Sequence, residues 1–269
     1  MHRHEAATLT ADDRELSRVV ELLDAATDPT VELSMAERKR TFIERLARLI
    51  DADVYIWSTT VTNHAVPGDF MTTCVIDGGW QSPEEQGRVY ELLTSVEFNT
   101  AALRGVYEMI IRRHRATLTT GEIFPPEDEA RLSEIWRTTG FEWFILATHP
   151  LDDDFSSNVG FHRRIGRPPF GPREKALVDA VYHGVNWLHV YGTNESVRPV
   201  TLQLSPRERQ TLIFVLAGYS HKAVAERMQI SQFTVNDYVK QLHRHFNVGS
   251  RAELQARFFV GVPAPQDRE

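Results

Sequence analysis

Asn236, Asp237, Lys240, Gln241 and Arg244 recur at spacings of three and four residues, so on an α-helix all five share one face. Together they offer the donors and acceptors that a helix needs to meet base edges and phosphates in the major groove of DNA. The opposite face carries Val235, Tyr238, Val239, Leu242 and Phe246, one apolar stripe at helical period. A helix with a core side and a groove side is therefore expected, capped by Ser231, with Gln232 and Thr234 beside the cap as further candidate contacts. Lys222 and Arg227, on the segment just before, are candidate phosphate holders.

Three more short helices are needed to hold that one in place. The first opens at Ser205-Pro206-Arg207-Glu208, a capping box with proline where a missing N–H costs nothing, and Gly218 ends it. Its buried side is Leu212, Val215 and Leu216. The second runs from Ser220 with Ala223, Val224, Ala225 and Met228 inward, and a tight turn at Gln229-Ile230 leads to Ser231. A fourth opens at Ser250-Arg251-Ala252-Glu253, and Leu254 and Phe258 on it are expected to be exposed and to form a dimer contact.

The run LSPRERQTLIFVLAGYSHKAVAERMQISQFTVNDYVKQLHRHFNVGSRAEL closely resembles the LuxR/FixJ-type four-helix DNA-binding domain of bacterial transcription regulators. The resemblance rests on Leu204, Arg207, Glu208, Leu216, Gly218, Ser220, Lys222, Ala225, Ile230, Ser231, Thr234, Val235, Val239, Val248, Ser250 and Arg251, which place caps, turns and core in one register. It implies that the residues after Thr234-Val235 face the groove: Asn236, Asp237 and, one turn on, Lys240. The chain departs from the family in Asp237, where an apolar or cationic residue is usual, and in Tyr238, where His is common. An acidic group there accepts from a cytosine amine and repels phosphate, so a site preference does not transfer from relatives. A sigma-factor-like helix-turn-helix is the nearest alternative, and the fourth helix argues against it.

Charge agrees only when the chain is divided. The whole has 30 Lys+Arg against 37 Asp+Glu, a net of −7, but residues 201–262 hold eight basic and four acidic groups, a net of +4. A surplus that small gives weak nonspecific binding per chain, so affinity should depend on pairing and on salt.

The 269 residues leave room for a second, larger domain at 1–191, with a polar, proline-closed linker at 192–199, the helix-turn-helix domain at 200–262 and a tail at 263–269. One cysteine, Cys74, rules out an internal disulfide, and no leader or membrane span is visible, which together lead us to expect a cytosolic protein with no membrane partner.

Residues 1–191 alternate helices and strands. Helices are expected at 12–26, 34–50, 83–96, 101–113, 125–138 and 172–190, and strands at 54–60, 70–76, 116–119, 141–149 and 155–163, the last two joined as a hairpin by Asp152-Asp153-Asp154. This is an α+β order, an antiparallel sheet with helices on one side. ARLIDADVYIWS at 47–58 and VGFHRRIGRPPFGPREKALVDAV at 159–181 resemble the entry and the closing strand and helix of a GAF domain, with PAS-like and autoinducer-binding-like sheets as alternatives. All five tryptophans fall in this domain. Trp57 and Trp143 should share one sheet face with Tyr55, as pocket lining for an unidentified small molecule or simply as core, with Phe144 on the other face.

Other constellations have plainer readings. Asp152-Asp153-Asp154 suits a solvated hairpin tip, Arg112-Arg113-His114-Arg115 a helix end, and Cys74 an apolar strand. His243 and His245, two apart on a helix, point to different sides. No nucleophile–base pair, phosphate loop or metal-ligand spacing stands out, so neither catalysis nor a cofactor or metal is expected. The sequence reading is a regulator whose partners are double-stranded DNA, a second copy of itself and, where the first domain senses, a small molecule; a protein-binding first domain and an enzymatic one are the alternatives.

Overall fold

In the computed structural model the described residues are 13–27, 30, 32–62, 70–93, 95, 98, 101, 102, 106, 114–151, 155–189, 204–216 and 218–258. They form one α+β unit and one all-helical unit. The expected linker at 192–199, the tail, the acidic hairpin tip and most of the helix expected at 101–113 lie outside them.

In the first unit, α1 (Asp13–Thr27) and α2 (Met35–Leu49) precede β1 (Val54–Thr62) and β2 (Phe70–Gly78). After α3 (Pro83–Leu93) come β3 (Ala116–Thr119), the single turn α4 (Thr120–Ile123) and α5 (Glu129–Arg137). The hairpin β4 (Phe141–Pro150) and β5 (Phe155–Arg164) then leads to α6 (Pro172–Gly184) and a 3₁₀ turn at Asn186–His189. Ser34 and Glu37 cap α2 reciprocally, as a capping box does. The closing helix is shorter than the expected 172–190, because Gly184 and the non-helical Val185 end it and the chain tightens into the 3₁₀ turn.

The five strands are ordered β2-β1-β5-β4-β3, every pair antiparallel. Apolar side chains leave the sheet on both faces, so the expected single layer of helices becomes two. Tyr55, Trp57, Ile76, Ile145, Ala147, Val159 and Phe161 pack on Leu22 of α1, Phe42, Ile43 and Leu46 of α2, and Leu177, Val178 and Tyr182 of α6. Val54, Ile56, Val75 and Phe144 face the other way, onto Val89 of α3, Phe124, and Leu132 and Trp136 of α5. A strand with no polar side cannot leave one face to water. At the sheet centre Gly160 is required, since a Cβ there would lie 2.7 Å from His162 Nε2.

The second unit comprises α7 (Pro206–Leu216), α8 (His221–Met228), α9 (Gln232–Phe246) and α10 (Arg251–Phe258) around one apolar core. Gly218 takes the left-handed conformation at φ 92°, as its place at the end of α7 requires, and Gln229 takes it between α8 and α9. Ser220 and Ser231 accept from the backbone N–H groups of Ala223 and Thr234, and Ser250 accepts from that of Glu253.

Candidate nucleic-acid interface

Helix α9 has the two sides its sequence requires. Val235, Val239, Leu242 and Phe246 are buried in the bundle, while Gln232, Asn236, Lys240, Gln241 and Arg244 are exposed and Asp237 is half-exposed. Its N-terminus is rigid, because the Ser231 hydroxyl accepts from the Thr234 backbone at 3.1 Å and meets the Thr234 hydroxyl at 2.8 Å. Ser231 and Thr234 thus use part of their hydrogen-bonding capacity on each other, which leaves them chiefly as the helix start. Lys240 Nζ lies 3.8 Å from Asp237 Oδ1, with the lysine largely exposed. That surface pair holds the lysine weakly and leaves it available to another acceptor.

Helix α8 braces α9 through Val224, Ala225 and Met228, and keeps Lys222 and Arg227 outside. The Arg227 guanidinium sits 4.3 Å from the Tyr219 ring centroid, which fixes its stem and leaves its charge outward. Helix α7 is tied to α8 by Arg207, whose Nη1 donates to the Met228 carbonyl at 3.5 Å.

The structure adds Phe233, which sequence reasoning passed over. It is 74% exposed in the first turn of α9, beside Gln232 and one residue before Thr234. A large ring on this exposed side of the helix has no core to fill. The signal was present in the stripe itself, since position 233 falls off the apolar period that 235, 239, 242 and 246 keep.

Leu254 is corrected. Expected at the surface as a dimer contact, it is 0% exposed and belongs to the core of the helical unit. The cause is the orientation of α10: Arg251 donates from Nη2 to the Val215 carbonyl at 2.8 Å, and the residue three further on shares its face and is driven inward. The side chain of Phe258 lies outside the described set.

In the first unit, Tyr55, Trp57 and Trp143 do share one sheet face, with Phe144 on the other. That face belongs to the buried cluster of the first unit. Trp57 is fully buried, donates from Nε1 to Ser157 Oγ at 3.0 Å and lies under Lys39 Nζ, 4.1 Å from its ring centroid. Ser157 Oγ meets the Tyr182 hydroxyl at 2.8 Å, and burial raises the pKa of that phenol. Trp143 is half-buried, its Nε1 donating to the Arg167 carbonyl at 3.0 Å.

The opposite face carries an aromatic layer with two polar atoms left over. Trp136 packs on Phe98, Phe144 and His162, the last with ring centroids 5.4 Å apart. Trp136 Nε1 and His162 Nδ1 are both buried and make no hydrogen bond. Burial alone pushes His162 down to about 3, so it is neutral at physiological pH.

Residues 202–257 match the model of the family of bacterial regulatory proteins named luxR, so this part of the chain is a LuxR-type helix-turn-helix domain. No curated protein matches the chain. Among solved structures, SdiA of Escherichia coli is similar at 20% identity over 91% of this chain and 96% of that one, with a TM-score of 0.44. CepR2 of Burkholderia cenocepacia, an N-acylhomoserine lactone dependent LuxR family transcription factor, aligns at 9% identity over 65% of this chain and 93% of that one, TM-score 0.40. A GAF domain/HD domain protein of Geobacter sulfurreducens aligns at 14% identity over 62% and 95%, TM-score 0.35.

Proposed function

We propose that the protein is a DNA-binding transcription regulator, in which the α+β unit controls a helix-turn-helix that reads the major groove. The observation that carries this reading is the exposed row Asn236, Asp237, Lys240, Gln241 and Arg244 on a helix whose other side is locked in a core. Replacing Asn236 or Asp237 with Ala should change which base is preferred, by roughly 1–3 kcal/mol on the best site. Lys240→Ala should instead weaken every site and flatten the salt dependence by about one unit of slope. Titrating the full chain and each variant against a panel of duplexes by fluorescence anisotropy checks both. Equal loss on all sequences for Asn236→Ala and Asp237→Ala defeats the assignment of these two residues.

Phe233 supports the same reading, as an apolar probe for a thymine methyl group. Covering about half of an exposed phenylalanine is worth roughly 1 kcal/mol. Phe233→Ala should therefore lower affinity about fivefold on the preferred site and leave nonspecific binding unchanged, whereas an equal affinity for the preferred site assigns Phe233 to another surface.

One recognition helix brings about three or four side chains to base edges, so the regulator acts as a pair on half-sites about one helical turn apart. The burial of Leu254 supports a pairing surface elsewhere than that residue. Sensing belongs to the α3 and α5 side of the sheet, where Trp136 Nε1 and His162 Nδ1 offer polar anchors inside an aromatic layer for a mostly apolar small molecule with a polar group. The support for this is the unpaired state of two buried polar atoms in one layer.

A further inference from the structure

On the α6 side of the sheet, three histidines from three elements converge: His149 on β4, His183 on α6 and His189 on the 3₁₀ turn. All three are buried, and one ring nitrogen from each lies within 4.8 Å of the other two. His149 Nδ1 and His183 Nδ1 are 3.3 Å apart. Two nitrogens bound to one tetrahedral ion at about 2.0–2.1 Å are separated by that same distance, about 3.3 Å.

The outer nitrogens of two of the rings, those of His183 and His189, are already held. His189 Nε2 donates to the Tyr182 carbonyl at 2.8 Å, which leaves the lone pair on Nδ1, a buried atom with no hydrogen-bond partner. His183 Nε2 meets the Thr117 hydroxyl at 3.2 Å and lies 3.8 Å from an Asp179 carboxylate oxygen. An imidazole whose far nitrogen is fixed by a carbonyl, hydroxyl or carboxylate is one prepared to ligate through the near one. His149 and His189 stack at 3.5 Å between ring centroids.

We propose that His149, His183 and His189 bind one divalent transition-metal ion of the zinc type, with a fourth coordination position left open. Binding would break the hydrogen bond between His149 and His183 and would turn the His149 ring out of its stack on His189. The charged groups around the cluster are Asp179, which favours a cation, and Arg115 and Lys39, which oppose one. Three imidazoles and no carboxylate in the first shell select zinc, copper or nickel over magnesium or calcium. A bound ion would tie β4, α6 and the 3₁₀ turn together. Any effect of the ion on DNA rests on the DNA-binding reading above; the site itself does not.

The test is titration of chelator-treated full-length protein with Zn²⁺ alone by calorimetry, and with Co²⁺ alone by visible absorption. One ion per chain and the intense absorption of tetrahedral Co²⁺ are expected. His149→Gln, His183→Gln and His189→Gln should each weaken binding by more than the ~10–100-fold that loss of an outer partner costs. Melting of each metal-free variant reports whether it folds. Where a variant does not fold, X-ray absorption at the zinc edge of the loaded parent decides, with three imidazoles at about 2.0–2.1 Å expected. A parent that takes up no ion, folded variants that bind as tightly as the parent, or a zinc shell with fewer than three imidazoles overturns the proposal.

Discussion

Leu254→Asp is expected to unfold the 204–258 unit, with no folded, unpaired regulator left behind. The leucine is wholly enclosed by the bundle, and a carboxylate in its place has no water, while the Arg251 guanidinium three residues before it is already bound to the Val215 carbonyl. The lost packing alone costs ~3–5 kcal/mol, and a buried unpaired charge adds to it. A domain of this size holds only about 3–8 kcal/mol in all. The readouts separate cleanly, since all five tryptophans, Trp57, Trp80, Trp136, Trp143 and Trp187, lie in the first unit. Tryptophan fluorescence should keep its parental melt while circular dichroism shows the loss of helix from α7 to α10. A parental melt by both probes would put Leu254 back on the surface and restore it as a pairing residue.

Trp57→Ala carries the second large effect, this time on the first unit. The indole fills the layer between β1 and the α2 and α6 helices, supports Lys39 and hydrogen-bonds Ser157, which in turn meets Tyr182. Its removal leaves a cavity and an open end in a buried polar chain, for a loss of ~3–5 kcal/mol. Trp57→Phe keeps most of the volume and forfeits mainly the hydrogen bond, for about 1 kcal/mol or somewhat more. Urea unfolding followed by fluorescence should therefore rank parent, Phe variant and Ala variant in that order. An Ala variant with the parental midpoint would mean that the tryptophan lines an opening instead of filling a core.

The contrast between these two residues shows what was legible in the chain. Caps and turns are local, so Ser205, Ser220, Ser231 and Gly218 marked their helices correctly, and the side of α9 that faces outward followed from period alone. Strand alternation placed Trp57, Trp143 and Tyr55 together and Phe144 opposite, but alternation says nothing of what covers a face, and the double layer of helices came from long-range packing. Leu254 was misplaced for a related reason: an eight-residue helix has too few turns for its period to tell inside from outside, and the tie from Arg251 to α7 decides it. The histidine cluster was invisible because its members lie 34 and six residues apart on a strand, a helix and a turn, with none of the short spacings that mark a metal site. Phe233 could have been found by noting an aromatic residue off the stripe.

The central claim is that the exposed face of α9 reads a DNA sequence. The most direct test is repeated selection of duplexes from a random pool by the full-length protein, followed by the salt dependence of affinity for the winning sequence. The account predicts a defined sequence made of two half-sites about one helical turn apart, bound with a steep loss of affinity as salt rises, and not enriched when Asn236 and Asp237 are both changed to Ala. A pool that stays random through every round, or the same winning sequence with the double variant, would contradict it.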